Sequence, residues 1–216
     1  MYSLTVKGAF AYVRRAIDEL TTAEEIGHLV DPDAIDLHRL VEGAMVEAAV
    51  KAYSLAPVIL LEGEAAAEGK DYNLELKDKV VTISMLTPTA KILSVKCADS
   101  DIIVSDMAPE NSAEGRKQRD KYIRGTYDDP RLVLLKQWPG DHMPRMRYYT
   151  TELTKDNLSF EIEYLRYPEL MDGYVSIAPR MEYVILNLLV ASVLHSIREH
   201  DNAEIYHKKA LEYLES

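Results

Sequence analysis

The chain has 216 residues, 47% of them hydrophobic and 28% charged, with a formal net charge of −11; it is long enough to bury a core and has the composition of a folding chain. The acidic balance excludes a surface built as a whole to grip nucleic acid, because such a surface would repel phosphates. A single cysteine, Cys97, excludes an intrachain disulfide and a cysteine-built zinc site, and an intracellular folding compartment is the expectation that follows.

From the N-terminus, Phe10, Val13, Ile17 and Leu20 recur at helical spacing, with Arg14, Arg15, Asp18 and Glu19 on other faces. The spacing predicts an amphipathic helix closed by Thr21 and Thr22. Asp31 is suited to cap a second helix with Pro32 in its first position. Leu37, Leu40, Val41, Ala44, Met45, Ala48 and Ala52 make its apolar stripe, and Pro57 stops it. Small alanine side chains let a neighbouring helix approach closely, so the stripe predicts a place inside a bundle.

From Val58 to Pro168 the pattern becomes short β-branched and aromatic runs separated by Gly, Pro, Asn and Asp. The predicted strands are Val58 to Leu61, Asn73 to Leu76, Val80 to Met85, Ala90 to Cys97, Ile102 to Met107, Leu132 to Gln137, Met146 to Thr150 and Leu158 to Tyr164. Leu93, Val95 and Cys97 alternate with Ser94 and Lys96, as in a half-buried strand. A loop or short helix from Glu110 to Tyr127 interrupts the sheet.

After Pro179 the helical period returns, with Met181, Val184, Ile185, Leu188, Leu189, Ser192 and Leu194 reading as the central helix of the bundle. The apolar run from Tyr183 to Leu194 is too short to span a bilayer, and the start of the sequence shows no basic-then-apolar pattern, so export through a signal peptide is not expected. Asp201 and Asn202 predict a turn, followed by a last amphipathic helix carrying Ala203, Tyr206, Ala210, Leu211 and Leu214. The organisation expected is a helical part over 1–57, a β-rich insertion over 58–168 and a second helical part over 169–216. This is an α+β fold in which terminal helices form a bundle, around Leu40, Val41, Ile185, Leu188 and Leu189, with an inserted antiparallel β domain.

The dinucleotide fingerprint, the phosphate-cradling Gly-Lys loop, the nucleophile elbow and the paired-histidine zinc helix are absent from the sequence. No catalytic, cofactor-binding or metal-binding residue is assigned, and no cofactor is expected. His195 and His200 are five residues apart, which on one continuous helix turns the second imidazole away from the first. His207 lies beyond the expected turn, and His28, His38 and His142 stand alone in sequence. Cys97 reads as a small buried hydrophobe.

One segment departs from the acidic background. Arg116, Lys117, Arg119, Lys121 and Arg124 crowd a single loop with Tyr122 and Tyr127 among them, and Arg131, Lys136, Arg145 and Arg147 follow. A solvated basic face and a contact surface both fit this pattern. As a contact it suits an acidic neighbour, which includes another copy of this chain, better than phosphates, given the total charge. The candidate protein-interface residues are Arg116, Lys117, Arg119, Lys121, Tyr122 and Arg124.

Three stretches resemble head–tail connector, or neck adaptor, proteins of tailed bacteriophages, especially those of gut Bacteroidota. They are DLHRLVEGAMVEAAVKAYSLAPVILL from Asp36 to Leu61, EGRKQRDKYIRGTYDDPRLVLL from Glu114 to Leu135, and PRMEYVILNLLVASVLHSIREHDNAEIYHKKALEYL from Pro179 to Leu214. The resemblance covers somewhat under half of the chain and contains no catalytic signature. It implies a non-enzymatic virion protein of the neck, assembled in the host cytoplasm, whose copies form a ring, usually twelve-fold, below the portal. It further implies contacts with the portal protein and with neighbouring neck or tail proteins, passage of DNA through the ring without specific binding, and no membrane partner. The large β insertion departs from the shortest, all-helical adaptors. Two other readings stay open on the sequence: a cytoplasmic enzyme with a site between sheet and bundle, and an adaptor that binds a partner without forming a ring.

Overall fold

The computed structural model describes residues 2–21, 36–98, 100–126, 128–137, 140–150 and 158–215. In chain order the N-terminal elements are β1 (Tyr2–Thr5), α1 (Val6–Thr21) and α2 (Leu37–Leu55). Then come β2 (Glu64–Ala65), β3 (Tyr72–Lys77), β4 (Val80–Met85), β5 (Thr89–Cys97), β6 (Ile103–Val104), β7 (Met107–Pro109), α3 (Ala113–Lys117), β8 (Arg131–Leu134), β9 (Arg145–Tyr149) and β10 (Phe160–Arg166). The chain ends with β11 (Leu170–Met171), β12 (Tyr174–Ile177), α4 (Glu182–Ser196) and α5 (His200–Glu215). The fold is α+β, with helices towards both ends. Contacts divide it into two units, residues 1–62 with 168–216 and residues 63–167.

In the first unit α4 packs against α1, α2 and α5. Ten of its side chains are buried, among them Val184, Ile185, Leu189 and Val190, so it is the bundle's centre, as its nearly all-round apolar sequence demands. The face that α2 buries is Val41, Met45, Ala48, Ala49, Ala52 and Tyr53, with Leu40 half-buried. In α1 the buried row is Val6, Ala9, Val13 and Ala16, while Phe10, Ile17 and Leu20 flank it half-exposed. Small side chains hold the seam of α1 because they allow the closer approach.

Several expectations for this unit are corrected. The capping residue of α2 is Asp36, whose carboxylate accepts a hydrogen bond from the Arg39 backbone N–H at 3.1 Å; Asp31 and Pro32 lie outside the described residues. Val58 to Leu61 does not make a strand: a single 3-10 turn spans Val58–Leu60, with the Leu60 and Leu61 amides donating to the Pro57 and Val58 carbonyls. The unit also contains a three-stranded antiparallel sheet in the order β1-β12-β11, so the ends of the chain supply strands as well as helices. β11 and β12 are joined by Asp172 and Gly173, both at positive φ, the Asp-Gly pair that favours a tight hairpin. Finally, the break between the last two helices falls at residues 197–199, before Asp201 and Asn202.

The second unit has two sheets, a four-stranded one in the order β2-β10-β5-β6 and a five-stranded one in the order β3-β4-β9-β8-β7. They share one core that includes Tyr72, Val81, Ile83, Met146 and Tyr148 from the larger sheet and Val95, Cys97, Phe160, Ile162 and Tyr164 from the smaller. Cys97 is buried there. The Tyr72 hydroxyl donates to the Phe160 carbonyl at 2.7 Å, which satisfies the one polar atom that this ring carries into the core. Among the named strands pairing is antiparallel except that β7 runs parallel to β8. The expected strand Ile102 to Met107 is two, β6 in the smaller sheet and β7 in the larger; an uninterrupted strand could not serve both.

Candidate functional site

Strand alternation sets up the site. In β3, β4 and β9, Val81, Ile83, Met146 and Tyr148 point into the core, with Leu74 and Leu76 partly buried against it. The residues between them therefore face the other way. The register places Glu75 opposite Thr82 and Thr82 opposite Arg147; one step along, Lys77 faces Val80 and Val80 faces Tyr149. These two cross-strand rows form the floor of an outer face.

The basic segment covers one half of that face. After β7, Ser112 caps α3, its hydroxyl accepting from the Gly115 N–H at 3.0 Å and donating to the Pro109 carbonyl at 2.7 Å. A Cβ at Gly115 would lie 2.3 Å from the Pro109 carbonyl oxygen, so this position admits no side chain without moving backbone. Gln118, 3% exposed, holds the far end. Its Oε1 accepts from the Gly125 N–H at 2.8 Å and its Nε2 donates to Glu114 at 3.1 Å. Gly125 is pressed onto β9 and β8, where an added Cβ would be 2.6 Å from the Tyr149 carbonyl oxygen. The loop is thus fastened at both ends by backbone-level contacts, and what it projects is held in place.

It projects Arg116, Lys117, Arg119, Lys121 and Tyr122, all exposed. Tyr122 is 83% and its neighbour Ile123 59% exposed, and the Lys121 ammonium lies 4.9 Å from the Tyr122 ring centroid. Lys117 pairs loosely with Glu114 at 3.7 Å, and Arg116 donates to the Asn111 carbonyl at 3.0 Å. Tyr127 lies outside the described residues.

Of the six candidate interface residues, the fold brings Arg119 and Arg124 to the open half of the sheet face. With Lys77, Thr82, Arg147 and Tyr149 they line a groove of about 490 Å³, whose acidic residues are Glu75 and Asp78. Arg119 and Arg147 share one carboxylate, Glu110, at 3.3 and 3.9 Å. Arg124 reaches the Asp78 carbonyl at 3.5 Å, and its buried Nε has no hydrogen-bond partner among the described residues. Arg116, Lys117, Lys121 and Tyr122 stand outside the groove. Sequence reading did not find Lys77, which sits on a strand remote from the loop, nor Gln118 and Gly125, although the run Lys117-Gln118-Arg119 and the glycine closing it are visible as a change of chemistry.

The histidines are arranged differently from expectation. α4 ends in a Schellman turn, with the Glu199 amide donating to Leu194 O at 2.9 Å, the Arg198 amide to His195 O at 3.1 Å, and Arg198 at φ +68°. The chain reverses there, and His195 and His200 meet with their Nδ1 atoms 2.9 Å apart. The expected separation fails because the helix is not continuous between them. His207 is half-buried and its Nε2 lacks a hydrogen-bond partner among the described residues. Burial, then Lys51 and His195, push its pKa below the ordinary 6.5. His142 stacks on Tyr167 at 3.7 Å and His38 lies 5.7 Å from the Phe10 ring; His28 is outside the described residues. No group of three or more His, Cys, Asp or Glu side chains is placed to hold a metal ion among the described residues, and no described helix is long and apolar enough to cross a membrane.

No protein-family model matches this chain, and a search of curated proteins returns no match.

Proposed function

We propose that this protein is a structural component of a virion, a head–tail connector whose copies form a ring below the portal and extend the DNA channel towards the tail. The observation that carries the reading is the fastened basic loop, with Tyr122 and Ile123 exposed at its tip on a chain of net charge −11. Arginine and tyrosine beside apolar surface is the composition of a protein contact. A loop held rigidly before binding loses little conformational entropy when it docks. The finer assignment, to a phage neck with a portal above and tail proteins below, rests on the resemblance of the stretches Asp36 to Leu61, Glu114 to Leu135 and Pro179 to Leu214.

The test is replacement of Arg116, Lys117, Arg119 and Lys121 by serine. All four are exposed, so circular dichroism and melting should match the wild type. Incorporation into the ring, or onto the portal protein, should fall, and raised salt should weaken the wild-type contact, since exposed charges are screened over about 10 Å at ~0.1 M. Normal incorporation of the fourfold variant into particles refutes the contact.

A further inference from the structure

The basic loop and the groove beneath it share Arg119, but the groove has chemistry of its own. Its floor is a sheet face, with Thr82 and Val80 half-buried and Tyr149 buried, and its cations come from three places in the chain: Lys77 on β3, Arg147 on β9, and Arg119 and Arg124 on the loop. Three guanidiniums carry many donors for the acceptors within reach. Glu110 serves two of them at 3.3 and 3.9 Å, and the Arg124 Nε is buried and unpaired among the described residues. A carboxylate entering the groove would meet Lys77, Arg119, Arg124 and Arg147 together, against Glu75 and Asp78 in the same lining. The planar fork of arginine suits that ligand.

The distribution of net charge bears on where such a carboxylate would come from. Residues 1–62 and 168–216 contain nine Lys and Arg against eighteen Asp and Glu, whereas residues 63–167 contain sixteen against eighteen. The net charge is therefore −9 for the helical unit and −2 for the β unit. The cationic groove belongs to the β unit, so a carboxylate of the more acidic unit finds there the local charge it lacks at home.

We infer that the groove lined by Lys77, Arg119, Arg124 and Arg147 is a carboxylate-binding site that receives the acidic helical unit of a second copy of this chain. Such a contact joins two different patches, so it is heterologous and propagates from copy to copy, closing into a ring or continuing as a filament according to the rotation at each step. The inference rests on the assembly reading above and adds to it the identity of one partner.

The experiment uses the full-length chain. Equal amounts of nitrogen-14 and nitrogen-15 protein are mixed at high concentration and low salt, and lysine ammoniums are coupled to adjacent carboxylates with a zero-length carbodiimide. Expected are mixed-isotope cross-links from Lys77 to Asp or Glu within 1–62 or 168–216. In parallel, Arg124→Gln with Arg147→Gln should weaken self-association in sedimentation velocity by roughly tenfold or more, as loss of charge partners at a contact does, with unchanged melting. Cross-links of Lys77 that are all single-isotope, or that run to 63–167, overturn the inference, and so does wild-type association of the double variant. Labelled duplex DNA that binds the wild type at ~0.15 M salt and is lost in the double variant would assign the groove to phosphates instead. Assembly that persists with the double variant ends the groove assignment alone, whereas a wild-type chain that stays monomeric at every concentration and enters no particle ends the assembly reading with it.

Discussion

At the scale of single residues, the site depends on side chains that carry no charge. Gln118 is buried and bridges the Gly125 amide and Glu114, so it fixes where Arg119 and Arg124 stand. Gln118→Leu keeps much of the volume but leaves the Gly125 N–H without its acceptor. The expected loss is about 1–3 kcal/mol of stability, the cost of an unmet buried donor, read by urea denaturation, together with weaker assembly although every basic residue is still present. His207 makes a different kind of prediction. Its pKa lies below 6.5 because of burial, Lys51 and His195, with Glu204 opposing. The folded chain then binds fewer protons than the unfolded chain below 6.5, so this residue's contribution is complete above about pH 6.5 and is lost as pH falls towards the folded value. Melting temperature followed from pH 8 to pH 5 should fall less steeply in His207→Leu than in the wild type; parallel curves would show that His207 does not titrate with folding.

At the scale of elements, α4 is the member on which the helical unit depends. α1, α2 and α5 all pack on it, and Leu189 is fully buried. Leu189→Asp places a carboxylate in the centre of the bundle without a partner, which costs several kcal/mol, about the upper tail of single substitutions. The variant should be largely unfolded or insoluble when expressed, and a melting curve matching the wild type would refute the central role of α4. The Tyr53 hydroxyl fastens α2 to the end of β12, accepting from the Ala178 N–H at 3.0 Å. The small sheet of the helical unit is thereby joined to its helices. In the β unit the decisive element is the loop between β7 and β8, because it leaves the β3 and β4 half of the outer face open.

For the molecule as a whole, charge is the property that bears on DNA. The net charge of −11 resides mostly in residues 1–62 and 168–216, and in the proposed connector role a charged duplex would have to slide past it. The free protein should therefore bind duplex DNA weakly, without sequence preference, and lose it near ~0.15 M salt. A fluorescence anisotropy titration at that salt measures this. Tight or sequence-selective binding would refute the proposed conduit role and favour nucleic-acid recognition.

What the amino-acid order determined by itself is what depends on near neighbours. The strand expected from Val80 to Met85 is β4 residue for residue, and the apolar continuity of Val184 to Leu194 is the centre of a bundle. The α+β class followed from the same periodicities, and the exposure of Arg116, Lys117 and Lys121 from their density in one polar run. Pairing across the chain was not legible. Lys77 and Arg147 reach one groove with Arg119 and Arg124 only because β3, β4 and β9 align in one register, and a register is a relation between segments, not a property of any of them. The short strands β1, β11 and β12 were missed for the same reason, since two to four residues carry too little pattern until a partner strand selects them. His195 and His200 met because α4 stopped in a left-handed turn at Arg198, a position with no glycine to announce it. Local chemistry selects the elements; the burial of one element against another decides which distant side chains share a site.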